Sequence, residues 1–436
     1  MYCGNCLRDN ALVEALRHLN HEVLMVPLYL PLTLDEPDQS SSTPIFFSGI
    51  NVYLEQKSAW FRHAPNWLHR FMASRPLLKL AADRAAKTRS SELGDLTLSM
   101  LRGEEGNQAR ELEELLGWLK AQPRPDVVFL SNLLLLGLAR RIRTELRAPV
   151  VCMLQGEDYF LNGLPEPQRS SCWELLAQRS ADVDQFVSPS QYFADLMRER
   201  LGLPPDRVQV VHNGINLEGY DSASAPLSDG LPADVSPGAS TAPVLGYFAR
   251  MCPEKGLDLL VEAFIQLRQR GRVGELKLYV GGSCGPVEKP FVDSLRRRLE
   301  TSGLLAETQF SPNLDRHSKQ AFLRSLSVFS VPAVYGEAFG LYLLEALAAG
   351  VPVVQPRSGA FTELIESTGG GLLCAPGDPQ SLAQGIEGLL LDPQRARQLA
   401  QTGRRNVIER FSAAAMARRV IRVMEMLRSS NSCVTV

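Results

Sequence analysis

Two glutamates are the residues of this chain whose spacing best fits the binding of a ligand. Glu337 and Glu345 lie eight positions apart in YGEAFGLYLLEALAAGVPVV, on either side of Gly340. The glycine predicts a turn into a helix beginning near Leu341, so backbone N–H groups would point into the space before that helix. A diphosphate suits that space, and the carboxylates could accept hydrogen bonds from sugar and ribose hydroxyls. The alternative is a pair of surface charges favoured by the helix dipole.

Two cations form a second group earlier in the chain. Arg250 and Lys255 lie in YFARMCPEKGLDLLVEAF, after a stretch typical of a buried strand and at the start of a helix-like segment. Positive charges beside a diphosphate would stabilise it as a leaving group, so we expect neither a metal nor another cofactor. Cations at this spacing are also common on solvated surfaces. The two motifs support each other, because both suit the same diphosphate.

Together the two stretches resemble those of glycosyltransferase family 4. The EX7E motif of that family is matched at Glu337, Gly340, Glu345, Ala346, Gly350, Pro352 and Val353. The resemblance implies that Glu345 binds the donor ribose and that Glu337 contacts the transferred sugar. It also implies that Arg250 and Lys255, which match a G-R-x-x-x-x-K-G pattern, reach the donor phosphates. The predicted catalytic residues are therefore Glu337, Lys255 and Arg250.

The resemblance also implies a fold and a reaction. Family members have the GT-B fold, an α/β architecture of two Rossmann-like, doubly wound domains that face a cleft. The implied reaction is the transfer of a hexosyl group from a UDP- or GDP-sugar to a hydroxyl acceptor, such as a glycan or a lipid-linked saccharide, with retention at the anomeric carbon. The leaving phosphate oxygen can deprotonate the acceptor in a front-face mechanism, so a protein base is not strictly needed.

Further stretches of the second half resemble the family less specifically. LYVGGSCGP places Gly281 after a strand, where close approach to a ligand or an ordinary turn would favour glycine. FSPNLDRHSKQAFL resembles the segment that reads the donor base, and Asn313 would lie beside that base. The predicted donor-binding residues are Glu345, Gly340, Phe339, Leu341, Gly281, Asn313 and Leu314.

The acceptor side is less readable. The chain opens on MYCGNCLRDNAL, at what resembles a loop and helix, with Gly4 as the remaining part of a Gly-rich loop. We expect Met1 to be an internal methionine; the alternative is a natively truncated protein that binds nucleotide sugars with impaired catalysis. Gln155 stands where many relatives have a histidine. Glu157 and Asp158 could contact the acceptor or could be ordinary charges at a helix start.

Other motifs favour structural roles. Asp182 and Asp184 form an Asp-x-Asp that could suggest a metal-dependent glycosyltransferase of the other fold, but placement before a strand favours a structural function. Cys3 and Cys6 have redox or metal-ligand spacing, yet no second CxxC or His pair completes a zinc site, so packing is the simpler interpretation. A dinucleotide-dependent oxidoreductase is disfavoured because no GxGxxG follows an early strand.

The elements that must position these residues alternate between apolar strands and longer helices, as in doubly wound sheets. The expected strands are 22–28, 126–131, 149–154, 185–190, 208–214, 243–249, 276–282, 328–333 and 352–356, and the expected helices are 7–19, 132–147, 191–201, 257–270, 290–302, 318–326, 341–349 and 379–402. The predicted domains are 1–216, with a helical insertion at about 55–120, and 243–411; they are joined by a linker at 217–242 and followed by a helix and tail, 412–436, that returns to the first domain.

Composition limits the class of partner. The chain has 436 residues, 45% of them hydrophobic, and a net charge of -2, which indicates two globular domains and argues against nucleic-acid binding. No membrane span or signal peptide is visible, so a cytoplasmic location is the default. Residues 57–89 mix cations with aromatic side chains. This mixture suits peripheral contact with the inner face of an anionic membrane, or a helical insertion that covers the acceptor cleft.

Overall fold

A computed structural model describes residues 4–28, 36–40, 43–47, 52, 56, 90–220 and 242–432. These residues form an α/β fold with two parallel sheets, which confirms the predicted fold class. Cys3, the basic segment 57–89 and most of the predicted linker 217–242 lie outside the described residues, so contact between 57–89 and a membrane stays a prediction. Within the described ranges, no helix combines the length and the apolar character needed to span a bilayer.

The first sheet has four parallel strands that are paired in chain order. Its second strand is buried along its whole length, as expected for a parallel sheet covered on both faces. The strands are β1 (Val128–Leu130), β2 (Val150–Met153), β3 (Gln185–Ser188) and β4 (Val208–Val210). The helices up to this point are α1 (Gly4–His18), α2 (Ser90–Arg102), α3 (Ala109–Lys120), α4 (Ala139–Leu146), α5 (Glu157–Asn162), α6 (Gln168–Arg179) and α7 (Gln191–Leu201).

The second sheet has six parallel strands in the order β10-β9-β8-β5-β6-β7. The strands are β5 (Val244–Phe248), β6 (Lys277–Gly282), β7 (Thr308–Pro312), β8 (Val328–Phe329), β9 (Val353–Pro356) and β10 (Gly371–Cys374). Chain order runs outward in both directions from the neighbours β5 and β8. Such a reversal is a topological switch point, and doubly wound sheets bind ligands beyond the carboxyl ends of the strands there.

Helices of the second half cover this sheet and separate its strands. β5 is buried at all five positions, and α8 contributes Leu260, Val261 and Phe264 to the same apolar core. The helices are α8 (Leu257–Arg270), α9 (Lys289–Thr301), α10 (Arg316–Arg324), α11 (Leu341–Ala348), α12 (Phe361–Thr368), α13 (Pro379–Leu391), α14 (Pro393–Arg410) and α15 (Ala413–Ser432).

The chain divides into two compact units, each built around one sheet. The second-sheet unit comprises the described residues of Met1–Leu12, Leu34–Glu36 and His212–Met416. The first-sheet unit comprises those of Val13–Thr33, Pro37–Val211 and Ala417–Val436. Most of α15 therefore belongs with the first sheet, as predicted for a returning C-terminal helix, and Arg428 forms an ion pair there with Asp126.

Two sequence predictions about individual elements were wrong, and two strands were missed. Residues 22–28 are not a strand, because no other described strand pairs with them; Thr43 binds the Met25 carbonyl oxygen through its hydroxyl instead, at 2.7 Å. The helix expected at 379–402 is two helices, since Asp392 caps the second one and Pro393 lacks the N–H that a continuous helix needs. Two edge strands, β7 and β10, were not predicted.

Candidate active site

The loops after β5 and β8 lie directly against each other at the carboxyl edge of the second sheet. The amide of Val334 donates to the carbonyl oxygen of Glu254 at 3.1 Å. Gly256, with φ of 68°, begins α8, and a Cβ at this position would overlap the carbonyl oxygen of Pro332. The backbones can therefore approach closely only because residue 256 is glycine. This approach brings together the two predicted motifs, one on each loop.

Lys255 and Glu337 form a buried ion pair at the centre of this edge. Their side chains are 16% and 13% exposed. Two tyrosines complete the cluster: Tyr335 donates its hydroxyl hydrogen to Glu337 Oε2 at 3.1 Å, and Tyr342 donates to the same oxygen at 2.8 Å. Lys255 Nζ also donates to the Tyr335 hydroxyl at 2.5 Å. The structure therefore brings together two predicted catalytic residues and two tyrosines that the sequence analysis missed.

The charges of this cluster are set by burial and by its hydrogen bonds. Burial alone would raise the pKa of Glu337, but the adjacent Lys255 and the hydroxyl donors Tyr342 and Tyr335 outweigh it and lower the pKa. Burial and the nearby carboxylate raise the pKa of Tyr335 and of Tyr342. The cluster at neutral pH thus contains a carboxylate and two neutral hydroxyl donors.

Gly340 turns the chain into α11, as predicted. Its φ of 102° is unfavourable for any residue with a side chain, and a Cβ there would lie 3.0 Å from the ring of Phe361. The amides of Leu341 and Tyr342 begin α11 and have no carbonyl partner one turn earlier within the helix, so their partial positive charge faces the space before it. The next amide, of Leu343, donates to the Gly340 carbonyl oxygen at 3.0 Å. Gly4, at the start of α1, lies beside Leu341: a Cβ on Gly4 would be 3.9 Å from Leu341 Cδ1.

Phe339 has a packing role in addition to its place beside Gly340. It is buried, and its ring lies 6.2 Å from that of His212 and 6.4 Å from that of Phe411. His212 in turn lies 2.7 Å from the Glu363 carboxylate. The Phe339 side chain is therefore part of the apolar core, and contact of this residue with a ligand stays a prediction. The pair of His212 and Glu363 was also missed by the sequence analysis.

Glu345 lies one turn inside α11 and is held by a lysine. Lys319 Nζ donates to Glu345 Oε1 at 2.7 Å, and the Lys319 side chain is only 4% exposed. A buried lysine is unusual without a charged partner, and the Glu345 carboxylate is that partner. The sequence held one usable signal for it: Asp315 caps α10, which places Lys319 a single turn into a helix otherwise packed on the core.

The remaining predicted donor residues shape the ends of β6 and β7. Gly281 is paired with Phe248, and a Cβ on it would lie 2.6 Å from the Phe248 ring. Asn313, with φ of 57°, donates its amide hydrogen to the Gly282 carbonyl oxygen at 2.8 Å, and its side chain binds both backbone groups of Cys284 at 3.2 Å. Leu314 packs against the core. Packing alone explains these residue types, and their contact with a ligand stays a prediction.

Arg250 differs from Lys255 in its surroundings. It follows β5 directly and is exposed. Its guanidinium is hydrogen-bonded to the Cys252 side chain, with no carboxylate within ion-pair distance among the described residues. Tyr247, buried in β5, donates to the Arg250 carbonyl oxygen at 2.8 Å and so fixes the backbone from which the side chain projects. Arg250 is therefore an anchored cation whose side chain is available to an anion.

Two of the predicted acceptor-side residues, Gln155 and Asp158, belong to the first-sheet unit, whereas Gly4 belongs to the second-sheet unit. Gln155 follows β2, and its amide donates to Glu157 Oε2 at 2.8 Å, while Glu157 Oε1 accepts from the Leu133 amide at 2.9 Å. The structural interpretation of Glu157 is therefore sufficient. Asp158 lies in the first turn of α5. It helps burial to raise the pKa of Tyr192.

The Asp-x-Asp motif has the structural placement that the sequence favours. Asp182 pairs with Arg140 and Arg179 at 3.4 and 3.6 Å. Asp184 accepts from the Val150 amide at 2.8 Å. Among the residues that the structure describes, no group of three or more His, Cys, Asp or Glu side chains could hold a metal ion.

Comparison with known sequences places the chain in a family. A family model described as Glycosyl transferases group 1 matches residues 234–406, and one described as Glycosyltransferase Family 4 matches residues 96–218. The chain belongs to glycosyltransferase family 4. The first match contains all the donor residues discussed above, from Arg250 to Glu345, so the recognised resemblance is confirmed.

Curated relatives of this family 4 chain carry names of glycosyl-transferring enzymes. A D-inositol 3-phosphate glycosyltransferase of Catenulispora acidiphila is 32% identical over 57% of this chain and 58% of the relative. A phosphatidyl-myo-inositol mannosyltransferase of Mycobacterium leprae is 29% identical over 54% of this chain and 57% of the relative. The chain thus spans somewhat more than half the length of these relatives.

Solved structures share the GT-B fold of this family 4 chain. Anabaena HepE in complex with UDP aligns with a TM-score of 0.62 at 17% identity, over 92% of this chain and all of that one (100%). Sucrose-phosphate synthase from Thermosynechococcus elongatus aligns with a TM-score of 0.60 at 22% identity, over 74% of this chain and 79% of that one. Likeness at these identities concerns the fold alone.

Proposed function

We propose that this chain is the catalytic part of a retaining glycosyltransferase that moves a hexosyl group from a nucleoside-diphosphate sugar to a hydroxyl acceptor. UDP is the first donor nucleotide to test, because one protein of similar fold was solved with UDP and also with UDP-glucose. GDP-sugars are the second. The donor would lie at the carboxyl edge of the second sheet.

The observation that carries the proposal is the pattern of unfilled hydrogen-bonding positions in the ion pair of Lys255 and Glu337. An ammonium has three N–H donors, and only two of those on Lys255 meet an acceptor among the described residues. Three donors reach Glu337 Oε2, whereas none in the described part of the chain reaches Oε1. One cationic donor and one anionic acceptor therefore remain side by side, which suits a phosphate bonded to a sugar.

The surrounding groups extend this match to the rest of the donor. The diphosphate would receive hydrogen bonds from Lys255, from exposed Arg250 and from the first amides of α11. The free oxygen of Glu345 would accept from a ribose hydroxyl, since Lys319 occupies only Oε1. A ligand that spans these groups has a sugar, two phosphates and a nucleoside in that order.

In the proposed reaction, the bond between the anomeric carbon and the β-phosphate oxygen breaks while the acceptor oxygen bonds to the same carbon on the same face. The acceptor proton passes to the departing phosphate oxygen. Lys255 and Arg250 stabilise the charge that develops on the diphosphate, which is the largest expected contribution of the protein. Glu337, as a carboxylate, holds the sugar and favours positive charge at the anomeric carbon.

The acceptor is proposed more broadly than the donor. Two relatives are named for transfer to an inositol 3-phosphate and to phosphatidyl-myo-inositol. A hydroxyl of a glycan, a polyol phosphate or a lipid-linked saccharide is therefore the class to test. A basic segment such as 57–89 would suit an anionic or lipid-linked acceptor, and sedimentation with anionic liposomes tests this; binding that is independent of anionic lipid would contradict it.

The deciding experiment is calorimetric titration of the full chain with UDP, GDP and ADP and with their sugar conjugates. One nucleotide should bind, and Lys255→Ala should weaken binding by about tenfold or more, as expected for loss of a charge-assisted hydrogen bond. Lys277→Ala is the matched control, because Lys277 begins β6 at the opposite edge of the sheet. The absence of any nucleotide binding by folded protein would contradict the proposal.

A turnover assay separates catalysis from binding alone. Donor is incubated with a panel of glycan, inositol phosphate and lipid-linked acceptors, and release of the nucleoside diphosphate is measured. NMR of the product should give the same anomeric configuration as in the donor. Binding without turnover on any acceptor would instead favour the alternative, a nucleotide-sugar-binding protein with impaired catalysis.

A further inference from the structure

We propose that Tyr342 and Tyr335 are positioning residues that aim one oxygen of Glu337 at a hydroxyl of the transferred sugar. The two hydroxyl groups would then determine affinity for the sugar part of the donor, with little influence on the nucleotide part. This inference rests on the proposed function, because it concerns the same donor site. Both tyrosines lie in the stretch YGEAFGLYLLEALAAGVPVV, but neither is among the positions that match the family motif.

The geometry is asymmetric about the Glu337 carboxylate. Oε2 accepts from Lys255 and from the hydroxyls of Tyr342, at 2.8 Å, and Tyr335, at 3.1 Å. Three donors from different directions restrict both the position of this oxygen and rotation of the carboxylate. The other oxygen, Oε1, is left without a donor in the described part of the chain. The direction in which Oε1 points is therefore imposed by the protein before any sugar arrives.

Lys255 alone could not maintain this arrangement during binding. It is the cation proposed to bind the diphosphate, and an ammonium on a flexible stem is drawn toward any anion within reach. Each step that Lys255 takes toward phosphate weakens its bond to Glu337. The tyrosine hydroxyls are neutral and stay behind, so they hold the carboxylate while Lys255 is shared with the ligand.

The two tyrosines are themselves fixed in place. Tyr342 is the second residue of α11, and its ring packs 6.3 Å from that of Phe361 and 6.4 Å from that of Phe329. Tyr335 lies between Lys255 and Glu337, accepting from one and donating to the other. A hydrogen-bond donor on a rigid, packed ring loses little freedom when it orients a carboxylate.

A purely structural role is the competing explanation. The Lys255 ammonium lies 5.0 Å from the centroid of the Tyr335 ring and 5.4 Å from that of Tyr342, within the range of cation–π attraction. Phenylalanine would keep these ring contacts and the packing. Replacing tyrosine with phenylalanine therefore removes only the hydroxyl, and the variants Tyr342→Phe and Tyr335→Phe separate the two explanations.

The test measures, for each full-length variant, the Kd of UDP and the Kd of UDP-glucose, with GDP and GDP-mannose in parallel. For Tyr342→Phe we expect UDP-glucose binding to weaken by about tenfold, from loss of a hydrogen bond to a charged group, and UDP binding to change by less than about twofold. Tyr335→Phe should also weaken UDP-glucose binding more than UDP binding. Tyr279→Phe, on β6 with its ring near Phe322, should change neither constant.

The pH profile of kcat/KM gives a second test, because it would not change if the tyrosines served only for packing. The acid limb of the pH profile of kcat/KM should move to higher pH in Tyr342→Phe, because one donor that lowers the pKa of Glu337 has been removed. Equal weakening of UDP and UDP-glucose, or no weakening of either in both variants, would overturn the inference. Wild-type protein that binds no nucleotide at all would overturn the proposed function first, and that result appears before any substitution is made.

Discussion

Two glutamates with little exposed surface, one in each unit, show how similar side chains serve different purposes. Glu157, in the first-sheet unit, uses one oxygen for the Leu133 amide and the other for the Gln155 amide. Glu337, in the second-sheet unit, receives all its described donors on a single oxygen. A carboxylate with both oxygens engaged by backbone is part of the architecture. A carboxylate with one oxygen held and one open is placed to bind something else.

The largest effect is expected for substitution of Glu337, the carboxylate with the open oxygen. Glu337→Gln keeps the shape of the side chain but removes the charge that holds Lys255 and faces the sugar. We expect kcat to fall by roughly a hundredfold, the typical loss when one group that stabilises transition-state charge is removed. Steady-state kinetics with the best donor measures this. The Kd of the bare nucleoside diphosphate should change far less. A Glu337→Gln enzyme with wild-type kcat would show that the open oxygen of Glu337 does not act on the sugar.

The matching change in the first-sheet unit should affect stability instead. Glu157→Ala leaves the buried amides of Leu133 and Gln155 without their acceptor, which we expect to lower the free energy of unfolding by about 1–3 kcal/mol. Chemical denaturation measures this loss. Nucleotide affinity should stay within about twofold of wild type, and a large change in affinity would show that Glu157 is not merely architectural.

A pair of glycine substitutions compares a constrained turn with an ordinary helix position. Gly340→Ala forces a side chain into φ of 102° and against Phe361, so it should cost about 1–3 kcal/mol of stability and weaken nucleotide binding. Gly388→Ala, in the middle of α13 with open space around it, should instead stabilise by about 0.5–1 kcal/mol. Thermal unfolding distinguishes the two. Equal effects would show that the turn at Gly340 is not strained.

The smallest effects concern pH, and two carboxylates should respond with opposite signs. Glu337 has a lowered pKa, so its stabilisation is present above its ordinary pKa of 4.5 and is lost as pH falls further. Burial raises the pKa of Asp9 to about 6 despite its neighbour Arg8, so stability falls as pH rises from 3.8 through about 6.

Unfolding free energies measured across this pH range check both signs. Glu337→Gln should flatten the profile below pH 4.5, and Asp9→Asn should flatten it between pH 3.8 and about 6. The slope of the unfolding free energy against pH is the informative quantity, because either substitution also changes the stability at every pH. A profile in which Asp9→Asn leaves the slope unchanged would show that this carboxyl titrates normally.

Sequence reasoning found the motifs of this site more readily than the contacts between them. The spacing of Glu337, Gly340 and Glu345 predicts a turn and a helix, because those features depend on neighbouring residues. Lys319 escaped prediction because its partner, Glu345, lies on another helix. Tyr335 and Tyr342 escaped it because the direction of a hydroxyl group depends on the folded backbone. A tyrosine beside a glutamate in sequence carries no sign that its hydroxyl points at that glutamate.

The same distinction explains the fold predictions. β5 and β9 were predicted because fully buried parallel strands read as continuous apolar runs. β7 (Thr308–Pro312) consists mostly of polar, partly exposed residues, and only its pairing with β6 makes it a strand. Residues 22–28 show the reverse case, an apolar run without a paired strand among the described residues. Pairing is a property of two segments, so one segment cannot reveal it.

The glycines at the carboxyl edge of the second sheet have a consequence for comparing relatives. Gly256 lies against the backbone of Pro332, and a Cβ on Gly359 would lie 2.5 Å from the amide nitrogen of Glu337. Neither position can accept another residue without moving a loop that carries a ligand-binding group. In an alignment, both would tolerate as little variation as Glu337 itself. Their invariance would record the closeness of two backbones, so an unvarying position in this fold is not by itself a mark of chemistry.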